Sequence, residues 1–584
     1  MRQNVSGFIV HPCLKAKSIE ARAYQLQALD ESISGSMLLV LPTAAGKTSV
    51  AWMAIAERIR KSDGWILFIA PTVALVNQHL ENAKANLQEL QGNGPISLSG
   101  HQIAEKRKSL WPSSRLIFAT PQVVRNDVKK GALSLEECSL LVVDEAHHCT
   151  GEHAMAEAAE CYVSQAKSPL ILATTASPGS RKEKIREICD RLDVKRIHLR
   201  TSDDPMLSEH LSELGVIETI VAVPDGIREL ADPLIIWQES IVDSERRSGR
   251  YVLPGPISQR GLSSAMERAQ LAIARKDSSG YRSMSQIATA MRLHHMINHL
   301  LCQGIAASRQ FLKRMRAEQD KSKSAKDFLK DGRISSLEKI LEGMDESHSK
   351  VGAVRRLVSE RMRRDADAKV IVFANYRDTV AVLSGALEGV KGCRVSEFVG
   401  QASKWGAEGL SPKQQIERLQ NFRSGNSNVL VATSVGEEGL DIPSADLVIF
   451  YEPISSEIRT IQRRGRTGRR REGEVIVLIA EGTRDEGARA AAAKRESFMH
   501  KSVRRVGREL PRPHHADLSN LSDFSVMEGD SIISAADFVR NERAKHETEI
   551  NEVDENEIAI YENKEEVVSP TSFRPTGQTG LEEF

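Results

Sequence analysis

Two series of short, uninterrupted apolar runs constrain the fold of this chain more than any other feature. The first comprises MLLVL (37–41), WILFIA (65–70), RLIFAT (115–120), LLVVDEA (140–146) and LILATTA (170–176). The second comprises KVIVFAN (369–375), CRVSEFVG (393–400), NVLVATS (428–434), ADLVIFY (445–451) and GEVIVLIA (473–480). A strand wetted on one face alternates apolar and polar residues, whereas a strand apolar along its whole length is covered on both faces. The stretches between the runs have helical character, so the pattern predicts strand–helix–strand crossovers and parallel sheets sandwiched by helices. The expected fold class is α/β, with one doubly wound domain over residues 1–224 and a second over 351–500.

Between them, over 225–350, the strand signal disappears. AMERAQLAIARKD and ATAMRLHHMINHLLCQGIAASRQFLKRMRAE carry apolar residues at helical spacing with many Lys and Arg, which predicts a basic, all-helical insert. Residues 501–546 read as an arginine-rich helical extension. Residues 547–584, beginning ETEINEVDENEIAIYENKEEVV, are acidic and poor in core-forming clusters, so a disordered tail is expected. The net charge of +1 announces no global field, and any nucleic-acid surface must be local. The 7 cysteines are scattered without a C-x-x-C pair, which argues against a zinc or iron–sulfur site and for a reducing compartment. The N-terminal MRQNVSGFIVHPCLKAK lacks a signal-peptide core, and no apolar run approaches the ~20 residues that span a bilayer. The expectation is a soluble cytoplasmic protein, nucleoid-associated, with no membrane partner.

The first run leads into LPTAAGKTSVAWMAIAERI, a strand, a G-K-T turn and a helix, which is the setting a phosphate-binding loop requires. Backbone N–H groups of Ala44, Ala45, Gly46, Lys47 and Thr48 would face the phosphates at a helix N-terminus, where the dipole favours anions. Lys47 would reach the β- and γ-phosphates of ATP, and the Thr48 hydroxyl would ligate Mg²⁺. Leu41 stands where the general pattern has its first glycine. LLVVDEAHH places an acidic pair at the end of a strand of the same sheet: Asp144 would hold Mg²⁺ and Glu145 would position and deprotonate the attacking water. In the second domain, IQRRGRTGRR (461–470) puts five arginines in ten residues. A basic run is usually a solvated face or a nucleic-acid patch. Opposite a nucleotide site, Arg466 and Arg469 can instead serve as arginine fingers, which ties hydrolysis to closure of the two domains.

RAYQ, PTAAGKT, APTVALVNQ, ATPQ, DEAH, TTASPG, VIVFANYR, FVGQASK, ATSVGEEGLD and QRRGRTGR, in that order, resemble the motif set of superfamily 2 helicases. Within it the chain most resembles the archaeal Hef helicases, relatives of the Fanconi anaemia M translocases, over about residues 15–500. The resemblance implies two RecA-like domains and further roles by position. Arg22, Tyr24 and Gln25 match the adenine-reading element. Pro71, Thr72, Ser99, Gly100, Thr120 and Gln122 match backbone-gripping motifs of the first domain, and Asn375, Arg377, Gly400, Gln401, Thr433 and Ser434 those of the second. Such hydroxyls, amides and backbone N–H groups hold phosphate and sugar without reading bases. Thr175 and Ser177 match the motif that couples hydrolysis to strand movement, while Asp441 and Gln462 match second-domain nucleotide contacts. Ala44 departs from the glycine often found there.

The resemblance also implies that the insert grips duplex beside a branch point, with Arg309, Lys313, Arg314, Arg316, Lys321, Lys323 and Lys326 as candidate phosphate contacts. His294 and His295 with His299 include an i, i+4 pair, but no third ligand accompanies it and packing is the expected role. Hef proteins often carry an XPF-type nuclease; no E-R-K-x-x-x-D stretch occurs here, so a helicase-only relative is expected. The expected function is an ATP-dependent DNA helicase or translocase acting on forked or branched DNA in replication-fork repair and recombination. The alternatives are a double-stranded-RNA-binding ATPase of the RIG-I and Dicer kind, and an ATP-binding scaffold that recruits a separate nuclease. The final QTGLEEF reads Q-x-x-L-x-x-F, similar to the peptide that docks on the sliding clamp PCNA, with Gln578, Leu581 and Phe584 as the contacts.

Overall fold

The computed structural model describes residues 7–42, 45–89, 94–202, 204–210, 216–317, 322–400, 409–433, 445–453, 474–511 and 517–545. Two all-parallel sheets dominate. The first, seven-stranded, runs Ile96–Leu98, Leu116–Ala119, Trp65–Ile69, Cys138–Asp144, Ile171–Thr175, Met37–Val40, Arg196–Leu199. The second, six-stranded, runs Val395–Phe398, Val429–Thr433, Val370–Ala374, Leu447–Phe450, Glu474–Ala480, Val216–Val221. Every apolar run of the two series is a strand, and the central ones are buried on both faces. These are two RecA-like domains with a helical bundle between them.

Three strands of these two sheets lie outside the apolar series, and all are edge elements: Ile96–Leu98, Arg196–Leu199 and Val216–Val221. The polar residues Arg196, His198 and Glu218 interrupt their apolar signature, and the buried His198 meets the buried Glu31 at 3.2 Å. The last of them corrects the boundary at 224. Val216–Val221 pairs in parallel with Glu474–Ala480 and therefore belongs to the second sheet, although it directly follows the first domain in sequence.

The insert is a bundle of Asp225–Arg247, Gln259–Ala274, Ser279–Asn298, Ile305–Ala317, Lys323–Lys330 and Gly332–Gly343 around its own core of Ile227, Leu234, Leu293, Met296, Leu300, Phe328 and Leu337. A π-helical turn, His299–Gln303, joins the third and fourth of these helices. His299 lies in this turn between the Phe311 and Tyr376 rings, at 4.5 and 4.6 Å. Burial holds its pKa down to about 3, and that of His294 down to about 4. These histidines pack. Among the described residues no group of three His, Cys, Asp or Glu side chains is placed to hold a metal ion.

The stretch 501–546 is not uniformly helical. Helix Arg484–Glu509 leaves the second domain and lays Met499, Val503 and Val506 into the core of the first. Beyond it the chain forms a hairpin, Ser525–Glu528 with Ser531–Ser534, whose first strand pairs antiparallel with Phe8–Val10. Gly529 in the turn takes φ 59°, a left-handed value that glycine adopts without a Cβ penalty. Phe524, Val526, Phe538 and Val539 then join the first domain's core beside Ile9, Leu14 and Trp52. No helix among the described residues is long and apolar enough to cross a membrane.

Candidate nucleotide and nucleic-acid site

Because both sheets are parallel, the chemistry-bearing turns of each gather at one carboxyl edge, where open α/β sheets place their ligands. In the first sheet that edge is divided. The three strands on one side, 96–98, 116–119 and 65–69, lead into Ser99 and Gly100, Thr120, and Pro71 and Thr72. Strands 138–144, 171–175 and 37–40 lead into Asp144 and Glu145, Thr175 to Ser177, and the G-K-T turn. The second sheet repeats the first half of this arrangement, with strands 395–398, 429–433 and 370–374 leading to Gly400, Thr433 and Asn375. The candidate strand-gripping residues thus occupy neighbouring turns in each domain, and in the first they adjoin the candidate nucleotide residues.

The described part of the phosphate loop is held from behind by the R-x-Y-Q element. Tyr24, fully buried, donates its hydroxyl to the Ala45 carbonyl at 2.9 Å, and the Gln25 amide donates to the same carbonyl at 3.1 Å. Arg22 donates to the Tyr24 hydroxyl at 3.2 Å. Gln25 is therefore engaged with the loop's backbone. Gly46 caps helix Lys47–Lys61 in the left-handed region at φ 78°, and a Cβ there would lie 2.0 Å from Gln25 Nε2. Gly46→Ala is expected to displace the loop and weaken ATP binding at least about tenfold, since left-handed backbone adds ~1–2 kcal/mol to the clash; titration with a fluorescent ATP analogue measures it. Lys47 Nζ lies 3.3 Å from the Leu41 carbonyl, on the loop side of the helix N-terminus, and half-buried Thr48 follows it.

Asp144 is gripped at both carboxylate oxygens: the Thr174 hydroxyl donates to Oδ1 at 2.8 Å and His79 Nε2 lies 2.8 Å from Oδ2. Burial alone would raise its pKa. The hydrogen bonds from His79 and Thr174, with the Lys47 charge, outweigh it and hold the carboxyl below its ordinary value, so it is ionised at neutral pH. Glu145 follows with φ 54° and ψ 50°, a left-handed conformation that a non-glycine residue keeps only where the surroundings impose it. This turn re-aims the Glu145 side chain, whose Oε2 lies 3.4 Å from His147 Nδ1. The same nitrogen is 3.1 Å from the Thr175 hydroxyl. The site has the donors a magnesium–nucleotide needs: backbone amides at a helix N-terminus, an ammonium, a hydroxyl and an ionised carboxylate.

From Thr175 the contacts continue outward. Ser177 Oγ lies 3.2 Å from Met499 Sδ, Ser502 donates to the Ser180 carbonyl at 2.8 Å, and Lys182 pairs with Glu509 at 2.7 Å. Helix Arg484–Glu509 of the second domain thus rests on the TTASPGS loop of the first. His79 and Met499 lie outside the quoted motifs, and Thr174 and His147 lie inside TTASPG and DEAH without an assigned role; their contacts with Asp144, Thr175 and Ser177 span 28 to 322 residues.

The strand-gripping candidates differ in what they do locally. Thr72 caps helix Val73–Asn86, accepting from Leu75 N at 3.3 Å, and Thr120 precedes helix Pro121–Lys129. Gly100, Gln122 and Asn375 are exposed. Arg377 donates to the Gly400 carbonyl at 2.6 Å, joining two of these turns. In the insert, Arg309 donates to the Leu341 and Met344 carbonyls, Arg314 pairs with Asp378, and Arg316 is bidentate on Glu338. Arg309 and Arg316 thus brace the bundle and Arg314 ties it to helix Arg377–Glu388 of the second domain, while Lys313, Lys323 and Lys326 are exposed. Ala44, Gln401, Ser434, Asp441, Gln462, Arg466 and Arg469, together with Lys321 and the tail residues Gln578, Leu581 and Phe584, lie outside the described residues.

Two RecA-like domains, the first with a strand–G-K-T–helix turn beside an acidic pair, define a helicase-type motor. The DEAD/DEAH box helicase family matches residues 22–185, the helicase conserved C-terminal domain residues 349–471, and the family described as "Putative ATP-dependent RNA helicase, helical bundle" residues 255–346. The helicase domain of Pyrococcus furiosus Hef has 35% sequence identity and a TM-score of 0.63, covering 80% of this chain and 98% of that one. This chain belongs to the Hef family of superfamily 2 helicases, the relatives of the Fanconi anaemia M proteins. A Methanocaldococcus jannaschii protein named "Putative ATP-dependent RNA helicase" is 34% identical over 85% of this chain. The "ATP-dependent DNA helicase mph1" of Neurospora crassa is 30% identical over 80%, and the "Fanconi anemia group M protein" of Gallus gallus 29% over 82%. The chain spans 63%, 41% and 26% of these three relatives' own lengths.

Proposed function

We propose that the chain is an ATP-driven DNA helicase or translocase that acts on forked or branched DNA in replication-fork repair and recombination. The observation that carries the motor is the contact of helix Arg484–Glu509 with the Ser177–Lys182 loop, which links the acidic pair to the second domain through His147, Thr175 and Met499. In this reading Lys47 and the amides at the helix N-terminus hold the phosphates, Asp144 and Thr48 hold Mg²⁺, and Glu145 takes the proton of the attacking water. Bound Mg²⁺ supplies charge neutralisation at the phosphates. Arg466, Arg469, Gln462 and Asp441 complete the site from the second domain, and Gln25 keeps the loop in register for the base. The strand-gripping turns, with Gln401 and Ser434, hold one strand by its backbone.

The names of the mph1 and Fanconi anemia group M relatives support DNA as the substrate, and the helical bundle between the motor domains supports a branch. The names of the Methanocaldococcus relative and of the bundle family favour a second reading, a double-stranded-RNA-activated ATPase. ATPase stimulation separates them. Forked DNA is expected to stimulate more than linear duplex and far more than double-stranded RNA; the reverse order would overturn the DNA reading. Replacing Lys323 and Lys326 together by Ala is expected to lower the slope of log affinity against log salt by ~2 units on forked DNA, two phosphate contacts being lost. Filter binding at several salt concentrations checks it. In the scaffold reading, which includes recruitment of a separate nuclease, repair would survive loss of hydrolysis. The clamp reading rests on the sequence of residues 578–584: deleting them should abolish PCNA binding and leave fork-stimulated ATPase intact.

A further inference from the structure

His79 is a buried histidine at the heart of the first domain, on helix Val73–Asn86. Its ring lies 4.5 Å from that of Phe68 and 6.2 Å from that of Trp52, so the pocket around it is aromatic. Its Nε2 lies 2.8 Å from Asp144 Oδ2, and its buried Nδ1 has no hydrogen-bond partner among the described residues. An imidazole so placed has one productive arrangement, with the proton on Nε2 and donated to the carboxylate. The other neutral tautomer would set two lone pairs against each other. With Thr174 donating to Oδ1, each oxygen of Asp144 then carries one fixed donor, and its remaining lone pairs have a single direction. A carboxylate on a strand end can otherwise rotate about its terminal bond.

We propose that His79 is a positioning residue for magnesium: it fixes the Asp144 carboxylate in the orientation that receives the Mg²⁺ of the magnesium–nucleotide complex. This rests on the nucleotide-site reading above. The ring contacts of His79 with Phe68 and Trp52 call only for a flat side chain. The hydrogen bond to Asp144 is what only a donor at this position can supply. Outer partners of a metal ligand orient it in this way, and their loss typically weakens metal affinity by ~10–100-fold. The placement also ties the magnesium ligand to the helix that Thr72 caps, seven residues or ~10 Å along its axis. One rigid element therefore carries a strand-gripping threonine at its start and the support of the magnesium ligand near its middle.

The test compares wild type with His79→Phe, which keeps the ring and removes the donor, and His79→Gln, whose amide nitrogen can stand in for Nε2. Affinity for a fluorescent ATP analogue is titrated in EDTA and then against rising Mg²⁺. In EDTA the three proteins should bind alike, within about twofold. The Mg²⁺ midpoint of His79→Phe should shift upward by ~10-fold or more, and His79→Gln should restore it to within about threefold. An unshifted midpoint in His79→Phe, or a shift that His79→Gln fails to restore, overturns the proposal. A wild-type protein whose nucleotide binding ignores Mg²⁺ would instead overturn the site reading beneath it. If His79→Phe does not fold, His79→Met serves as the donor-less variant and must show the same shift.

Discussion

Glu145→Gln is expected to lower ATP turnover by ~10²–10⁴-fold while leaving nucleotide and DNA binding within about twofold of wild type. Glutamine keeps the length and shape of the side chain, so the left-handed turn at φ 54° and the neighbouring His147 keep their places. What it loses is the capacity to accept a proton from water. Asp144 cannot take over that task. Its two oxygens are committed to Thr174 and His79, and the same hydrogen bonds that hold its pKa down make it a poor base. A thousandfold loss corresponds to ~4 kcal/mol of activation free energy, taken from one atom pair and none of the fold. Steady-state ATPase on forked DNA measures the loss, and a binding titration with magnesium present shows whether the bound state survives. Turnover within tenfold of wild type would remove Glu145 from the chemistry. The variant also tests the scaffold alternative, because a protein that only recruits a partner would function with it unimpaired.

The two sheets were legible in the sequence because a central parallel strand must be apolar on both faces, and a run such as LLVVD has no other comfortable place. The phosphate loop and acidic pair were legible because their chemistry sits in consecutive residues. Illegible were the elements whose meaning depends on a distant partner. VIETIV follows the first domain in sequence, yet pairs with Glu474–Ala480, and its Glu218 meets Arg489 across that junction. SVMEGDSIIS carries a Gly-Asp hairpin signal, but only the strand Phe8–Val10, more than 500 residues earlier, makes it a sheet. His79 looks like one more polar residue on a helix until Asp144 is brought to it. The arginines of the insert likewise have partners that the sequence does not announce. The resemblance implied phosphate contacts for them, and here Arg309 and Arg316 also donate to carbonyls and a carboxylate of the bundle itself.

Lys350→Met is expected to destabilise the second domain and insert by ~3–5 kcal/mol, the usual effect of stripping a buried charge of its counter-charge. Lys350 has no solvent exposure. Its ammonium donates to the Tyr451 carbonyl at 2.8 Å, pairs with Asp485, and stands 4.9 Å over the Tyr451 ring. Asp485 opens helix Arg484–Glu509, and next to Tyr451 lies Glu452, which accepts from Gln303 of the π-helical turn at 2.7 Å and from Asn375 N at 3.1 Å. Gln303 in turn accepts from Thr379 at 2.7 Å. One lysine therefore offsets two buried carboxylates where the insert, the Asn375 turn and the bridging helix converge. Burial pushes Glu452 up to about 7 even with Lys350 pulling the other way. Its folded pKa lies above the ordinary 4.5, so its contribution to stability is fully present below about pH 4.5 and lost as pH rises through about 7. Removing Lys350 takes away the charge that opposes this rise at Glu452, so the variant's deficit should widen from acidic to mildly alkaline pH. At pH 7.5 the melting transition should fall by roughly 6–20 °C, with a smaller gap at pH 5. Adding Asp485→Asn should recover a large part of the loss, giving a favourable coupling between the two sites. A deficit independent of pH, or a double variant no more stable than the single, would mean that Lys350 acts by packing alone. The bridging helix would then be anchored to the second domain by its apolar contacts rather than by this charge.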